Sequence, residues 1–159
     1  MQKNTDSGSV IFSKKYSYWF LLPTVLVVLL DEKLKKIALE RLPEEGSLVD
    51  PGFVDFAIHK NFGVAFDIPF RLEFVILASI LIGLGLMHLA WKHLNDRQWI
   101  AFSSLIIIIG ALGNLYDRVS YGFTVDYIIL FGRSAINLSD VVILLGVVFL
   151  LASSRHKKA

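Results

Sequence analysis

The chain has 159 residues, 55% hydrophobic and 19% charged, with no cysteine and a formal net charge of +2. Its mean hydropathy of +0.61 exceeds what a soluble domain needs to fill a core, so the composition indicates one small polytopic membrane domain. Disulfides, a catalytic thiol and thiolate metal sites are excluded, and His59, His88, His93 and His156 lack the spacing of a zinc hydrolase.

The apolar run Tyr16 to Leu30 is 15 residues, short of the roughly 20 that cross a bilayer. Its helix is expected to continue through Asp31 to Lys35. Pro23 lies inside it, where neighbouring helices can compensate for the lost hydrogen bond. No small-x-small cleavage site follows, so the run reads as an uncleaved anchor. Asp31 and Lys35 stand at i and i+4, the spacing of an ion pair. Leu34, Ile37, Ala38 and Leu42 then recur at helical spacing. They continue the first helix or form an amphipathic helix on the membrane surface, and Pro43 stops it. Phe53 to Ile58 and Val64 to Phe66 read as short strands around a turn at Lys60-Asn61-Phe62-Gly63, a small sheet on the outer membrane face.

The second and third apolar runs, Phe74 to Ala90 and Trp99 to Tyr116, are 17 and 18 residues long. The fourth, Ser134 to Ser154, carries one charge in 21 residues, Asp140. Trp19, Trp91 and Trp99 fall near run ends as interfacial anchors. His88 and His93 sit near the cytoplasmic end of the second run and are given no role. The expected fold is a mainly α membrane protein with four transmembrane helices, over about 16–34, 72–91, 98–117 and 136–154. A small extracytoplasmic β-sheet and amphipathic-helix insertion, about 35–70, lies between spans one and two, all in a single domain of residues 1–159.

Basic residues set the orientation. The N-terminal arm (Lys3, Asp6, Lys14, Lys15) is net +2, the connector with Lys92, Asp96 and Arg97 is net +1, and the tail with Arg155, Lys157 and Lys158 is net +3. Residues 31–70 are net −3 and residues 117–140 net −1. Both termini are therefore expected in the cytoplasm. The positive charge is a topology signal, and nucleic-acid binding is not needed to explain it.

Polar residues beside the spans need a reason, because an aspartate at the centre of a membrane helix costs about 3 kcal/mol. Asn114, Asp117, Asp126, Asn137 and Asp140 gather on the expected outer side. One reading of Asp140 is a helix cap, with Asn137 as N-cap and the acid three residues on. One reading of Asp126, in the run Phe123 to Leu130, is a loop carboxylate facing water. The sharper reading joins them. The 13 intervening residues, bent at Gly132, return the chain to the same depth, and two close carboxylates share one proton. Such a pair hydrolyses a peptide bond without serine, cysteine or metal. Asn114, Asp117 and Arg118 share one helix face, as an anchor of the helix end or with Arg118 binding a carbonyl or lipid phosphate, or bracing residues 118–136.

Together these segments resemble the lipoprotein signal peptidase (signal peptidase II) family. Asp31-Glu32-Lys33-Leu34-Lys35 resembles D-Q-x-x-K, and Asn61-Phe62-Gly63-Val64-Ala65-Phe66 matches N-x-G-x-A-F. Gly110 to Arg118 matches G-x-x-G-N-x-x-D-R, Val125-Asp126-Tyr127 resembles V-D-F, and Ile136-Asn137-Leu138-Ser139-Asp140 resembles F-N-x-A-D. The resemblance spans about residues 16–152 and implies that Asp126 and Asp140 are the catalytic pair. It places Asn61, Gly63, Asn114, Asp117, Arg118, Asn137, Asp31 and Lys35 in substrate binding or support. Glu32, Tyr127, Ile136 and Ser139 depart from the pattern, and Asp67 with the acidic 40–55 stretch bears on fine specificity. The implied substrate is a prolipoprotein whose cysteine carries diacylglycerol, cut on the N-terminal side of that cysteine. The implied location is the bacterial cytoplasmic membrane, with the site near the outer leaflet.

No cofactor, metal or nucleic acid is expected; the partners are prolipoprotein substrates and membrane lipids, and the chain is expected to act as a monomer. The competing readings are a small ion- or proton-coupled transporter using the two aspartates, a non-catalytic lipoprotein-binding relative, and a metal-dependent hydrolase.

Overall fold

Four helices and a three-stranded sheet make up the computed structural model, which describes residues 19, 21–47, 52–63 and 70–155. In chain order the elements are α1 (Leu21–Arg41), a short 3-10 turn (Glu45–Ser47), β1 (Val54–Asn61), α2 (Leu72–His93), α3 (Gln98–Tyr121), β2 (Thr124–Leu130), β3 (Ser134–Ile136) and α4 (Leu138–Arg155). The expected strand at Val64 to Phe66, Asp67, residues 48–51 of the acidic stretch, the N-terminal basic arm and the last four residues lie outside the described residues.

The first helix runs past Lys35 to Arg41, and the residues around Pro43 leave it because the position before a proline disfavours helical backbone. Its buried stripe is Val28, Asp31, Lys35 and Ala38, spaced at three and four residues, so two charged side chains face inward. Ile37, expected on the apolar face, is exposed, while Leu34, Leu39 and Leu42 pack with Ala38 against Val125 and Tyr127 of β2.

Among the described residues two helices, Leu72–His93 and Gln98–Tyr121, are long and apolar enough to cross a membrane. The apolar part of α4, Leu138–Ser153, is shorter, and α1 turns charged after Leu30. Length and composition therefore meet the four-span expectation in two helices. Part of the expected first span, residues 16–18 and 20, lies outside the described residues. Large apolar side chains point outward along α1, α2 and α4, among them Leu29, Leu81, Ile82 and Leu144. That surface suits hydrocarbon and not water.

The most buried helix is α3, which packs against α1, α2 and α4. Its approach to α4 is set by small residues. A Cβ on Gly110 would stand 2.9 Å from the Ser139 carbonyl oxygen, and one on Gly146 2.6 Å from Ile107 Cγ1. Helix backbones meet this closely only where the side chain is absent.

Strand β1 extends to Asn61, into the expected turn, and its described strand partner is β2, antiparallel and 63 to 67 residues away at the His59 to Asn61 end. His59 lies opposite Asp126 and Asn61 opposite Thr124. Strand β2 continues the sheet into β3 through a turn in which Phe131 and Gly132 have φ of 54° and 60°. Asp126 thus sits on a central strand and not in a loop, and Ser134–Ile136, the start of the fourth apolar run, form β3 ahead of the helix.

Candidate active site

The β2–β3 hairpin and the start of α4 bring Asp126 and Asp140 to the same residue, Asn137. Strand alternation sends Val125 and Tyr127 toward α1 and leaves Asp126 on the other face of β2. After β3, Asn137 starts α4 with a reciprocal capping box. The Asp140 backbone N–H donates to Asn137 Oδ1 at 3.0 Å, and the Asn137 backbone N–H donates to Asp140 Oδ2 at 3.2 Å. The cap reading of Asp140 is therefore right as far as it goes. The same Asn137 also donates from Nδ2 to Asp126 Oδ1 at 2.6 Å. A single residue thus joins both carboxylates, Asp126 through its side-chain amide and Asp140 through its backbone N–H.

Further amides hold the pair. Asn114 Nδ2 donates to Asp140 Oδ1 at 2.7 Å, and Asn114 Oδ1 accepts from Asn137 Nδ2 at 3.1 Å and Lys35 Nζ at 3.3 Å. Asn61 Nδ2 donates to Asp126 Oδ2 at 3.2 Å, while Asn61 Oδ1 accepts the Gly63 N–H at 3.0 Å in an Asx turn. Arg118 donates to the Gly63 carbonyl at 3.2 Å and the Asn114 carbonyl at 3.3 Å. It binds carbonyls and ties the end of β1 to α3, and these bonds do not run to residues 119–136.

Asp126 is almost wholly buried. Burial, followed by the negative charge of Asp140, pushes its carboxyl up to about 7; the Asn61 and Asn137 donors and His59 pull the other way. A carboxyl poised there exists in both protonation states at neutral pH, as an acid–base group requires.

Asp31, Lys35 and Asp117 form a second cluster beneath this one, all at 1% exposure or less. Lys35 Nζ lies 3.0 Å from Asp31, 2.8 Å from Asp117 and 3.4 Å from Glu32. Asp117 also accepts the Val125 N–H at 3.1 Å. Through Asp31 and Asp117 this cluster ties α1 and α3 to the backbone of β2 and of the first turn of α4, the elements that carry the two candidate carboxylates. Sequence reasoning missed two members. The Tyr127 hydroxyl donates to Asp31 at 2.8 Å and the Ser139 hydroxyl at 2.6 Å. The available signal was their place, each a hydroxyl directly beside a candidate aspartate.

The family described as signal peptidase (SPase) II matches residues 23–155. The chain is 33% identical to a lipoprotein signal peptidase of Microcystis aeruginosa, over 91% of this chain and 97% of that one. It is 32% identical to a lipoprotein signal peptidase of Streptococcus pneumoniae, over 80% of this chain and 86% of that one. A solved bacterial membrane enzyme superposes with a TM-score of 0.71 at 28% identity, covering 87% of this chain and 90% of the other. Matched over most of its length in sequence and in fold, the chain belongs to the signal peptidase II family of proteases.

Proposed function

We propose that the chain is a membrane aspartic endopeptidase that removes the signal peptide from diacylglyceryl-modified prolipoproteins, cutting on the N-terminal side of the lipidated cysteine. The observation that carries this reading is the joint hold of Asn137 on Asp126 and Asp140. Two carboxylates in this position share one proton. The ionised member takes a proton from water as that water attacks the scissile carbonyl. The protonated member polarises the carbonyl and then protonates the leaving amine. Asn61, Asn114 and Asn137 hold the carboxylates in place. In this reading four helices cross the bacterial cytoplasmic membrane with both termini inside. The sheet lies over the outer leaflet, where a substrate anchored by its signal helix and lipid is already confined, which lowers the barrier by removing translational freedom.

The purified protein is expected to release the signal peptide from a diacylglyceryl-modified prolipoprotein and to leave the unlipidated precursor intact, as read by gel shift and mass spectrometry. Ion flux in proteoliposomes without a cleaved product would favour a transporter instead, and loss of cleavage on chelation would favour a metal-dependent hydrolase.

The carboxyl of Asp126 gives a pH test. With the proton needed on Asp126, kcat/KM falls as pH rises through about 7. The Asn61 donor favours the ionised form, so Asn61→Ala raises that carboxyl further and moves the alkaline limb to higher pH. A limb that stays in place, or moves down, in the pH–rate profile of this variant removes Asp126 from the role of acid.

A further inference from the structure

We propose that Tyr127 and Ser139 are positioning residues whose hydroxyls, both donated to Asp31, lock the strand bearing Asp126 and the helix bearing Asp140 onto one carboxylate of α1. The inference rests on the reading of Asp126 and Asp140 as the catalytic pair. Asp31 is fully enclosed. Its Oδ1 accepts the Tyr127 hydroxyl at 2.8 Å and the Leu138 N–H at 3.0 Å. Its Oδ2 accepts the Ser139 hydroxyl at 2.6 Å, the Ser139 N–H at 3.2 Å and Lys35 Nζ at 3.0 Å. One carboxylate of α1 thereby joins β2 and the first turn of α4.

The geometry makes the coupling short. Tyr127 follows Asp126 directly on β2 and points to the opposite face of the sheet, so its hydroxyl anchors the strand from behind. Ser139 directly precedes Asp140. Any residue at 138 or 139 other than proline would supply the two backbone donors, but only a hydroxyl side chain supplies the other two. Space is kept for the Ser139 hydroxyl, because a Cβ at Gly113 would stand 2.5 Å from its oxygen. Tyr127 is also buried, so its hydroxyl has exchanged water for Asp31. These are two of the positions at which the chain departs from the family pattern, and both departures add a donor to the same acceptor.

Tyr127→Phe and Ser139→Ala keep the packing and delete only the hydroxyls. Two measurements on the full chain in lipid test the idea: cleavage kinetics on a lipid-modified prolipoprotein, and amide hydrogen exchange. Each variant is expected to lower kcat about tenfold with KM held within about twofold, because a small misplacement of reacting groups costs rate and not binding. The double variant is expected to lose less than the product of the single losses, since both bonds end on Asp31. Tyr127→Phe is expected to speed exchange in the first turn of α4, and Ser139→Ala in β2, each in the element it does not occupy. Unchanged kcat in both variants, or faster exchange confined to the mutated element, overturns the proposal. The catalytic reading fails separately, if Asp126→Asn or Asp140→Asn still cleaves; exchange alone then decides whether the lock exists.

Discussion

Asp126→Asn and Asp140→Asn are each expected to abolish release of the signal peptide, with a loss of roughly 10³-fold or more, as removing one member of a catalytic unit does. Asparagine keeps the size of each site and one of its two acceptor oxygens. At position 126 the amide oxygen can still accept from Asn137 Nδ2, and at position 140 it can still accept the Asn137 N–H of the α4 cap. What disappears is the ability to take and return a proton. The variants are therefore expected to insert and to melt close to the parent while a fluorogenic lipopeptide stays uncut. Residual turnover above a few per cent of the parent in either variant, or inactivity accompanied by a collapsed fold, would break the proposed division of labour. The two losses should also fail to add, because the pair acts as one unit.

The largest effect on stability is expected at Lys35. Its ammonium is buried among Asp31, Asp117 and Glu32, and it donates to Asn114 as well. Lys35→Met removes the charge and keeps the stem. It leaves two wholly enclosed carboxylates without a counter-ion, a loss of about 3–5 kcal/mol for a broken buried pair. Thermal unfolding in detergent measures it directly. Neutralising a partner as well, in Lys35→Met with Asp117→Asn, is expected to recover part of the loss, since the penalty comes from the uncompensated charge. A single variant that melts like the parent would show that water or another cation reaches this cluster. Because Asp117 also holds the Val125 N–H, the destabilised variant should lose cleavage activity through β2 although Lys35 touches no reacting atom.

The site divides into a layer that holds the two candidate acids and a charged layer around Lys35. Asn114 links them, with Lys35 on its oxygen and Asp140 on its nitrogen. Arg118 closes the same region from α3 by holding the Gly63 carbonyl. Changes in the charged layer therefore reach the carboxylates through hydrogen bonds of known geometry, which is why stability and turnover are expected to move together at Lys35 and to separate at Asp126.

Much of this was readable from the chain alone. Long apolar runs signal membrane helices because backbone groups in hydrocarbon must bond within their own segment. Asp140 stood out because a carboxylate in such a run needs a reason, and the spacing of Asn137 and Asp140 already contained the cap. Asp31 and Lys35 were legible as an i, i+4 pair. Their burial was not, nor was the approach of Asp117 to the same ammonium, because both depend on how α1 lies against α3. The pairing of β1 with β2 was equally hidden. Strand alternation tells which residues share a face, but only the packed structure decides which strand lies beside which. That choice put Asp126 on a central strand opposite His59 and sent Tyr127 back to Asp31. Local sequence thus determined the helices, the cap and the two candidate acids. Tertiary structure decided what each polar group faces, because a buried donor or acceptor must find its partner wherever the fold brings one within reach.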